Sequence, residues 1–491
     1  MRKSGVLMHI SSLPSRCGIG TLGAEARRFV NFLAESGQSF WQVLPVSPTS
    51  FGDSPYQSFS SFAGNPYFID LDKLVEDGYL NKLDYVNLDW GSDPCHVDYE
   101  LLYEARPPIL RKAAEALLAR QEPAFDDFCA ENADWLEDYA LFMALKDVCG
   151  GAAWYEWENG LRFREEPALA HAKRELSGEI ATYKARQFFF SRQWEALHEY
   201  ARLRGVAIIG DIPIYVAPDS ADVWSHPELF ELDGKLRPVE VSGCPPDSFS
   251  ADGQLWGNPL YAWDRHSETG YTWWIARIRR AFSFYDVLRI DHFRGFESYY
   301  AIPAGETTAR NGHWLPGPGY KLFAAIKNVL GDKSIIAEDL GFLTDGVRRL
   351  LANCGYPGMK VLQFAFDGSA ENPYLPHNYP RNCVAYAGTH DNDTLIGWLR
   401  STPREAAEEA TDYLRLSDRE SAPRGILRAL WESPADLTVA QMQDLLELDS
   451  EGRMNTPGIA AGNWRWRMKP DTDLSEISGW LRHITELYGR A

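Results

Sequence analysis

Seven stretches of the chain share one pattern, a short β-rich apolar run that ends in polar, Gly- or Pro-containing residues. They are "GVLMHISSLP", "SFWQVLPVSP", "GVAIIGDIPIYV", "FYDVLRIDHFRG", "KSIIAEDLG", "KVLQFAFDG" and "CVAYAGTHDND". Runs apolar on both faces belong to a parallel sheet covered by helices. Helical patterns lie between them. "AEARRFVNFLAESG" puts Phe29, Val30 and Leu33 on one face and stops at Gly37. "GYKLFAAIKNVLG" stops in the same way at Gly331. Strands alternating with helices predict an α/β fold. An eighth strand is expected near "QMQDLLELDSEGRMN", a segment that reads equally as helix. Eight strands close a (β/α)8 TIM barrel. A doubly wound open sheet is the competing reading.

The spacing of the seven runs is uneven, so the barrel must carry insertions. The largest, residues 71–192, is rich in Ala, Glu, Leu and Arg and is expected to be mostly helical. A second, residues 231–262, is rich in Gly, Pro, Ser and Asp and is expected to be a long irregular loop at the active site. Everything else belongs to one catalytic barrel spanning the 491 residues.

Composition narrows the partners more than the fold. The net charge of −20 repels phosphate backbones and anionic membranes, so neither nucleic acid nor membrane is an expected partner. Seven scattered cysteines without a Cys-x-x-Cys argue against disulfides and structural zinc. The apolar run at the N-terminus breaks at His9, too early for a signal peptide. No stretch reaches the ~18 apolar residues of a membrane span. A cytoplasmic enzyme, monomeric or weakly oligomeric, is the expectation. Several of the 17 tryptophans fall in Gly- and Pro-rich segments, where a flat indole face suits a pyranose ring.

The candidate chemistry sits where the apolar runs end. In a barrel the active site forms at the C-terminal ends of the strands. Four runs end in acid: Asp211, Asp291 with Arg289 before it, Glu338 with Asp339, and Asp391 with His390. One such acid is an ordinary helix cap; four in register point to a site. Glycosyl transfer needs two carboxylates, one to attack the anomeric carbon and one, protonated, to release the leaving oxygen. Arg289 is expected to hold a neighbouring acid ionised by lowering its pKa. Three acids at strand ends also suit a divalent metal, the site of a lyase or isomerase. The arginine beside Asp291 and the loop tryptophans weigh against the metal, and no cofactor is expected. A non-catalytic glucan-binding module would have no need of ionisable Asp291 and Glu338.

"VLRIDHFRG", "IIAEDLG" and "YAGTHDNDT" resemble the strand-end motifs of the α-amylase clan. "WQVLPVSPT", "DSPYQSFSSFAGNPYFID", "PPDSFSADGQLWGNPLY" and "MNTPG" with "GNWRWR" narrow the resemblance to the 4-α-glucanotransferases of glycoside hydrolase family 77. The motifs run in order from residue 5 to residue 467. The resemblance implies a (β/α)8 barrel with inserted subdomains that transfers α-1,4-glucan segments by a retaining double displacement. A hydrolase of the same clan is the alternative. It makes Asp291 the nucleophile, Glu338 the acid/base and Asp391 the transition-state carboxylate, with His390 beside it and Arg289 beneath the nucleophile. It makes Ser54, Tyr56, Asp211, Asp247, Gln254, Trp256, Asn258, His292 and Asn455 substrate contacts. His9, Asp339 and Asp393 read as structural. The partners it implies are maltooligosaccharides, starch or glycogen.

Overall fold

A computed structural model describes every residue except Met1, Phe51, 247–249, Phe342 and Ala460. Among the described residues, twelve strands form two sheets. Eight are parallel and surround a core: β1 (Lys3–Leu7), β2 (Phe40–Gln42), β3 (Ala207–Ile212), β6 (Val287–Ile290), β9 (Ile335–Ala337), β10 (Gly358–Val361), β11 (Cys383–Tyr386) and β12 (Leu437–Gln441). Their spatial order follows the chain, and β12 returns to pair with β1 from Lys3↔Leu437 to Leu7↔Gln441. The seam between β9 and β10 is bridged by Ala337 N–H donating to Pro357 O at 3.0 Å. Asp339 Oδ1 accepts from Met359 N–H at 2.6 Å across the same seam, a structural role. The result is the (β/α)8 barrel that the periodicity predicts. Strands such as "AIIGDI" and "CVAY" are buried along nearly their whole length, as strands covered on both faces must be.

The eighth strand lies just before the expected segment. Leu437–Gln441 pairs with β1 and β11, and Met442–Leu445 is helical. "LTVAQ" is β-branched enough to extend once two neighbours offer ladders; "MQDLL" is not.

The connection from β2 to β3 carries seven helices, including Tyr99–Arg120, Ala133–Val148 and Ser177–Leu203. The helix Ala24–Glu35 buries Phe29, Val30 and Leu33 and ends before Gly37, whose φ of 73° only glycine adopts without strain. No helix of the described residues is long and apolar enough to cross a membrane.

Residues 231–262 correct the expectation of an irregular loop. They contain β4 (Glu240–Cys244) and β5 (Gln254–Pro259), which join β7 (Ser298–Pro303) and β8 (His313–Pro316) in an antiparallel sheet ordered β5-β4-β7-β8. A bulge between Val241 and Gly243 interrupts β4. Glycine and proline hid these strands; β5 pairs with β4, and the second partner of β4, β7, lies outside the segment.

Candidate active site

The four acids do meet at one end of the barrel, around a single buried arginine. Asp211 and Arg289 are paired residues of β3 and β6. Side chains at i and i+2 share a strand face, so Arg289 and Asp291 point the same way. Arg289 Nη1 lies 2.5 Å from Asp211 Oδ2, and its Nη2 lies 3.0 Å from Asp291 Oδ1 and 3.4 Å from Glu338 Oε2. Arg289 Nε reaches Met359 Sδ at 3.4 Å.

The turn after Asp291 is fixed by β9. His292 adopts a left-handed conformation (φ 49°), and its backbone N–H donates to Glu338 Oε2 at 2.6 Å. Phe293 N–H donates to Glu338 O, and Glu338 N–H to Ile290 O, both at 3.0 Å. The carboxyl groups of Asp291 and Glu338 are hydrogen-bonded to each other. Their nearest oxygens lie no farther apart than the sum of the two Arg289 Nη2 distances.

Burial reverses the expected effect of Arg289. It pushes the Asp291 carboxyl up to about 7, with the Glu338 charge adding to the rise and Arg289 only opposing it. Glu338 is also raised, by burial above all. Arg289 makes its shortest contact with Asp211, and its attraction at Asp291 is outweighed by desolvation and the Glu338 charge. Two close carboxyls that share a hydrogen bond hold one proton between them.

Asp391 stands at the end of β11 and is more open, with 42% of its side chain exposed. Asn455 Nδ2 donates to its Oδ1 at 2.6 Å, and His390 Nε2 lies 3.4 Å from its Oδ2. Asn455 N–H donates to His390 O at 3.1 Å. Arg453 was not picked out from the sequence, yet it fastens this corner: Nε donates to Asn455 O at 2.8 Å and Nη2 to Asp391 O at 2.7 Å. Nothing in "GRMNTPG" marks this arginine apart from its neighbour Asn455. Asp393 accepts from Thr394 N–H and Ser450 Oγ, each at 2.8 Å, a structural role.

Aromatic rings flank the acids. Tyr56 stacks on His390 at 5.2 Å and 15°, and both contact Trp464 at 5.8 and 5.9 Å. Tyr56 Oη donates to Asp211 Oδ2 at 2.8 Å, and Ser54 Oγ accepts from Tyr56 N–H at 3.2 Å. Trp256 meets His292 edge-on at 4.8 Å and donates from Nε1 to Gln254 Oε1 at 3.0 Å. The His292 ring is half-buried, and desolvation holds it neutral with its pKa down at about 3; among the described residues its Nε2 has no hydrogen-bond partner. Asp247 lies outside the described residues.

Two of the expected substrate contacts turn inward, as does His9, which read as structural. Asp211 is wholly buried, so its carboxylate serves Arg289 and Tyr56. Asn258 is also buried and donates to Val216 O at 2.8 Å, fastening β5 to the barrel rim. His9 packs edge-on to Phe68, and burial lowers its pKa to about 3. Among the described residues, no group of three or more His, Cys, Asp and Glu is arranged to hold a metal ion.

The comparisons agree with this geometry. The family model of the 4-alpha-glucanotransferases, glycoside hydrolase family 77, matches residues 8–473. The 4-alpha-glucanotransferase of Clostridium butyricum is 47% identical over 485 residues, covering 98% of this chain and all of that protein. That of Thermus thermophilus is 49% identical over 496 residues, covering 99% and 98%. The structure of Streptococcus agalactiae amylomaltase in complex with acarbose superposes with a TM-score of 0.98 at 47% identity, covering both chains completely. Corynebacterium glutamicum amylomaltase, at 20% identity and TM-score 0.79 over 75% of its length, shares the fold. The chain therefore belongs to glycoside hydrolase family 77, the 4-alpha-glucanotransferases.

Proposed function

We propose that this 4-alpha-glucanotransferase moves α-1,4-glucan segments through a covalent glucosyl-enzyme at Asp291, with Glu338 as acid and then base. The observation that carries the assignment is the contact of these two carboxyls: both lie within 3.4 Å of Arg289 Nη2 and they are hydrogen-bonded to each other. With a glucan bound, the proton belongs on Glu338, facing the glycosidic oxygen. Asp291 is then ionised at 3.0 Å from Arg289 Nη2. The Asp291 carboxylate attacks the anomeric carbon, the C–O bond breaks, and Glu338 transfers its proton to the departing 4-oxygen. Asp391, held by Asn455, balances the positive charge that develops on the ring. In the second step Glu338 takes the proton of an acceptor 4-hydroxyl, which displaces Asp291 and restores the original configuration.

Tyr56, His292, Trp256 and Gln254 form the surface that positions the glucan, supported by the exposed edge of β5 and the stacked pair Tyr56–His390. Ser54 is its polar rim. Asp211 and Asn258 position other groups and do not touch sugar. No cofactor enters this balance. The work is done in the cytoplasm by single chains or weak oligomers, which cell fractionation and gel filtration test.

Maltotriose alone should give glucose and longer maltooligosaccharides with little gain of reducing ends. Steady release of reducing ends would make the protein a hydrolase of the same clan. Asp291→Asn should stop turnover of every donor. Glu338→Gln should fail on maltotriose yet still be glycosylated by an α-glucosyl fluoride, whose leaving group needs no proton. Equal failure of Glu338→Gln on both donors would remove Glu338 from the acid role.

A further inference from the structure

Of the 17 tryptophans, sixteen are buried or half-buried and one is exposed: Trp314 on β8, at 41%. Leaving a large apolar ring in water is unfavourable, and a free side chain would fold back against the surface. Trp314 is held away from doing so. The Arg294 guanidinium lies over its ring, 4.0 Å from the centre. Tyr300, its partner across the β7–β8 ladder, meets it edge-on at 5.2 Å and 63°. Tyr300 is itself buried and anchored, with Oη donating to Ala309 O at 3.1 Å. An exposed, pre-ordered aromatic offers contact area at little entropic cost, as binding sites do.

The position says what could lie on it. Arg294 follows His292 by two residues, and His292 is bonded through its backbone to Glu338 and touches Trp256. Trp314 and Trp256 stand on the two edge strands of one sheet, β8 and β5. The sheet meets the catalytic turn at its β5 edge, where Trp256 touches His292. We propose that Trp314 is an outlying stacking platform for long α-1,4-glucan chains that extend beyond the Asp291–Glu338 cleft, where the C–H face of a pyranose covers the exposed indole. The net charge of −20 fits a neutral polymer better than an anionic one. The inference rests on the glucan-transfer reading above.

The test compares short and long substrates in Trp314→Ala and Trp314→Phe. With amylose or long maltodextrins, Trp314→Ala should raise KM about three- to ten-fold, the size of one aromatic contact. With maltotriose its kcat/KM should stay within about two-fold of wild type. Trp314→Phe should recover most of the long-chain affinity. In Asp291→Asn, which cannot extend maltotriose, long maltodextrin should shield the most acrylamide-accessible tryptophan fluorescence, and maltotriose should not; this leaves Trp314 itself unchanged. Unchanged long-chain KM in Trp314→Ala, or no shielding, overturns the proposal. Equal losses on maltotriose and amylose also overturn it and make Trp314 a prop for the catalytic turn through Arg294. Dissociation of a wild-type dimer by Trp314→Ala would show that a second copy covers the ring, again against the proposal. Failure of wild type to disproportionate maltotriose would instead remove the glucan-transfer reading itself.

Discussion

Arg289 makes its shortest ion pair with Asp211, 78 residues away, and not with Asp291 two residues on. Both partners are sealed from water, so the pair stands or falls together. Removing one member of a buried pair strands the other charge, typically at about 3–5 kcal/mol. Asp211→Ala should therefore destabilise the fold by roughly that amount in urea unfolding and also lower kcat, since Arg289 loses its anchor on β3. Asp211→Asn should be milder in both, because an amide oxygen still accepts from Tyr56 and Arg289.

The shared proton of Asp291 and Glu338 makes both rate and stability depend on pH. A second proton, added in acid, leaves no nucleophile; loss of the first, in base, leaves no acid. The rate should fall on both sides, with the alkaline fall near the value of about 7 to which Asp291 is raised. For stability the sign is that of an acid with a raised folded-state pKa. The unfolded carboxyl ionises near ~4, the folded one near 7, so the folded state holds the extra proton between them. This group's contribution therefore shrinks as pH rises through that window. Asp291→Asn should gain stability over wild type at pH 8 and lose that gain towards pH 4, measured by urea unfolding.

Arg453 holds two backbone carbonyls, those of Asp391 and Asn455, and no carboxylate. Arg453→Ala should lower kcat about ten- to a hundred-fold through misplacement of Asp391, with little change in KM. Arg453→Lys should recover only part, because one ammonium cannot reproduce a fork that spans two carbonyls. A normal kcat in Arg453→Ala would separate Arg453 from the reaction.

Trp256 sits beside His292 at the mouth of the site, where an acceptor sugar must replace water. Trp256→Ala should lower transfer about ten-fold and hydrolysis less, raising the share of reducing ends released from maltotriose. Equal losses would confine Trp256 to the donor.

Exhaustive EDTA treatment should leave activity on maltooligosaccharides unchanged, since the cation among the carboxylates is Arg289. Loss of activity restored by a divalent ion would revive the metal reading.

The sequence by itself determined the kinds of element and where the chemistry ends up. An apolar run such as "VLRI" has one use in an α/β protein, a buried parallel strand, and the polar residues after it must lie at the strand's end. That local rule brings Asp291, Glu338 and Asp391 to one face of the barrel. Tertiary structure decided which charge serves which. Asp211 and Arg289 became partners because β3 and β6 are neighbours in register, a long-range pairing that no local period records. Arg453 and Asn455 reach Asp391 because the chain after β12 folds back over β11. The strand β4 pairs with β7 from outside its Gly- and Pro-rich segment, and β5 then pairs with β4, a ladder that the segment did not announce. Burial decided the sign at Asp291: in sequence, a nearby arginine lowers an acid's pKa, but at a largely buried carboxyl with Glu338 alongside, desolvation outweighs it and the carboxyl's pKa rises.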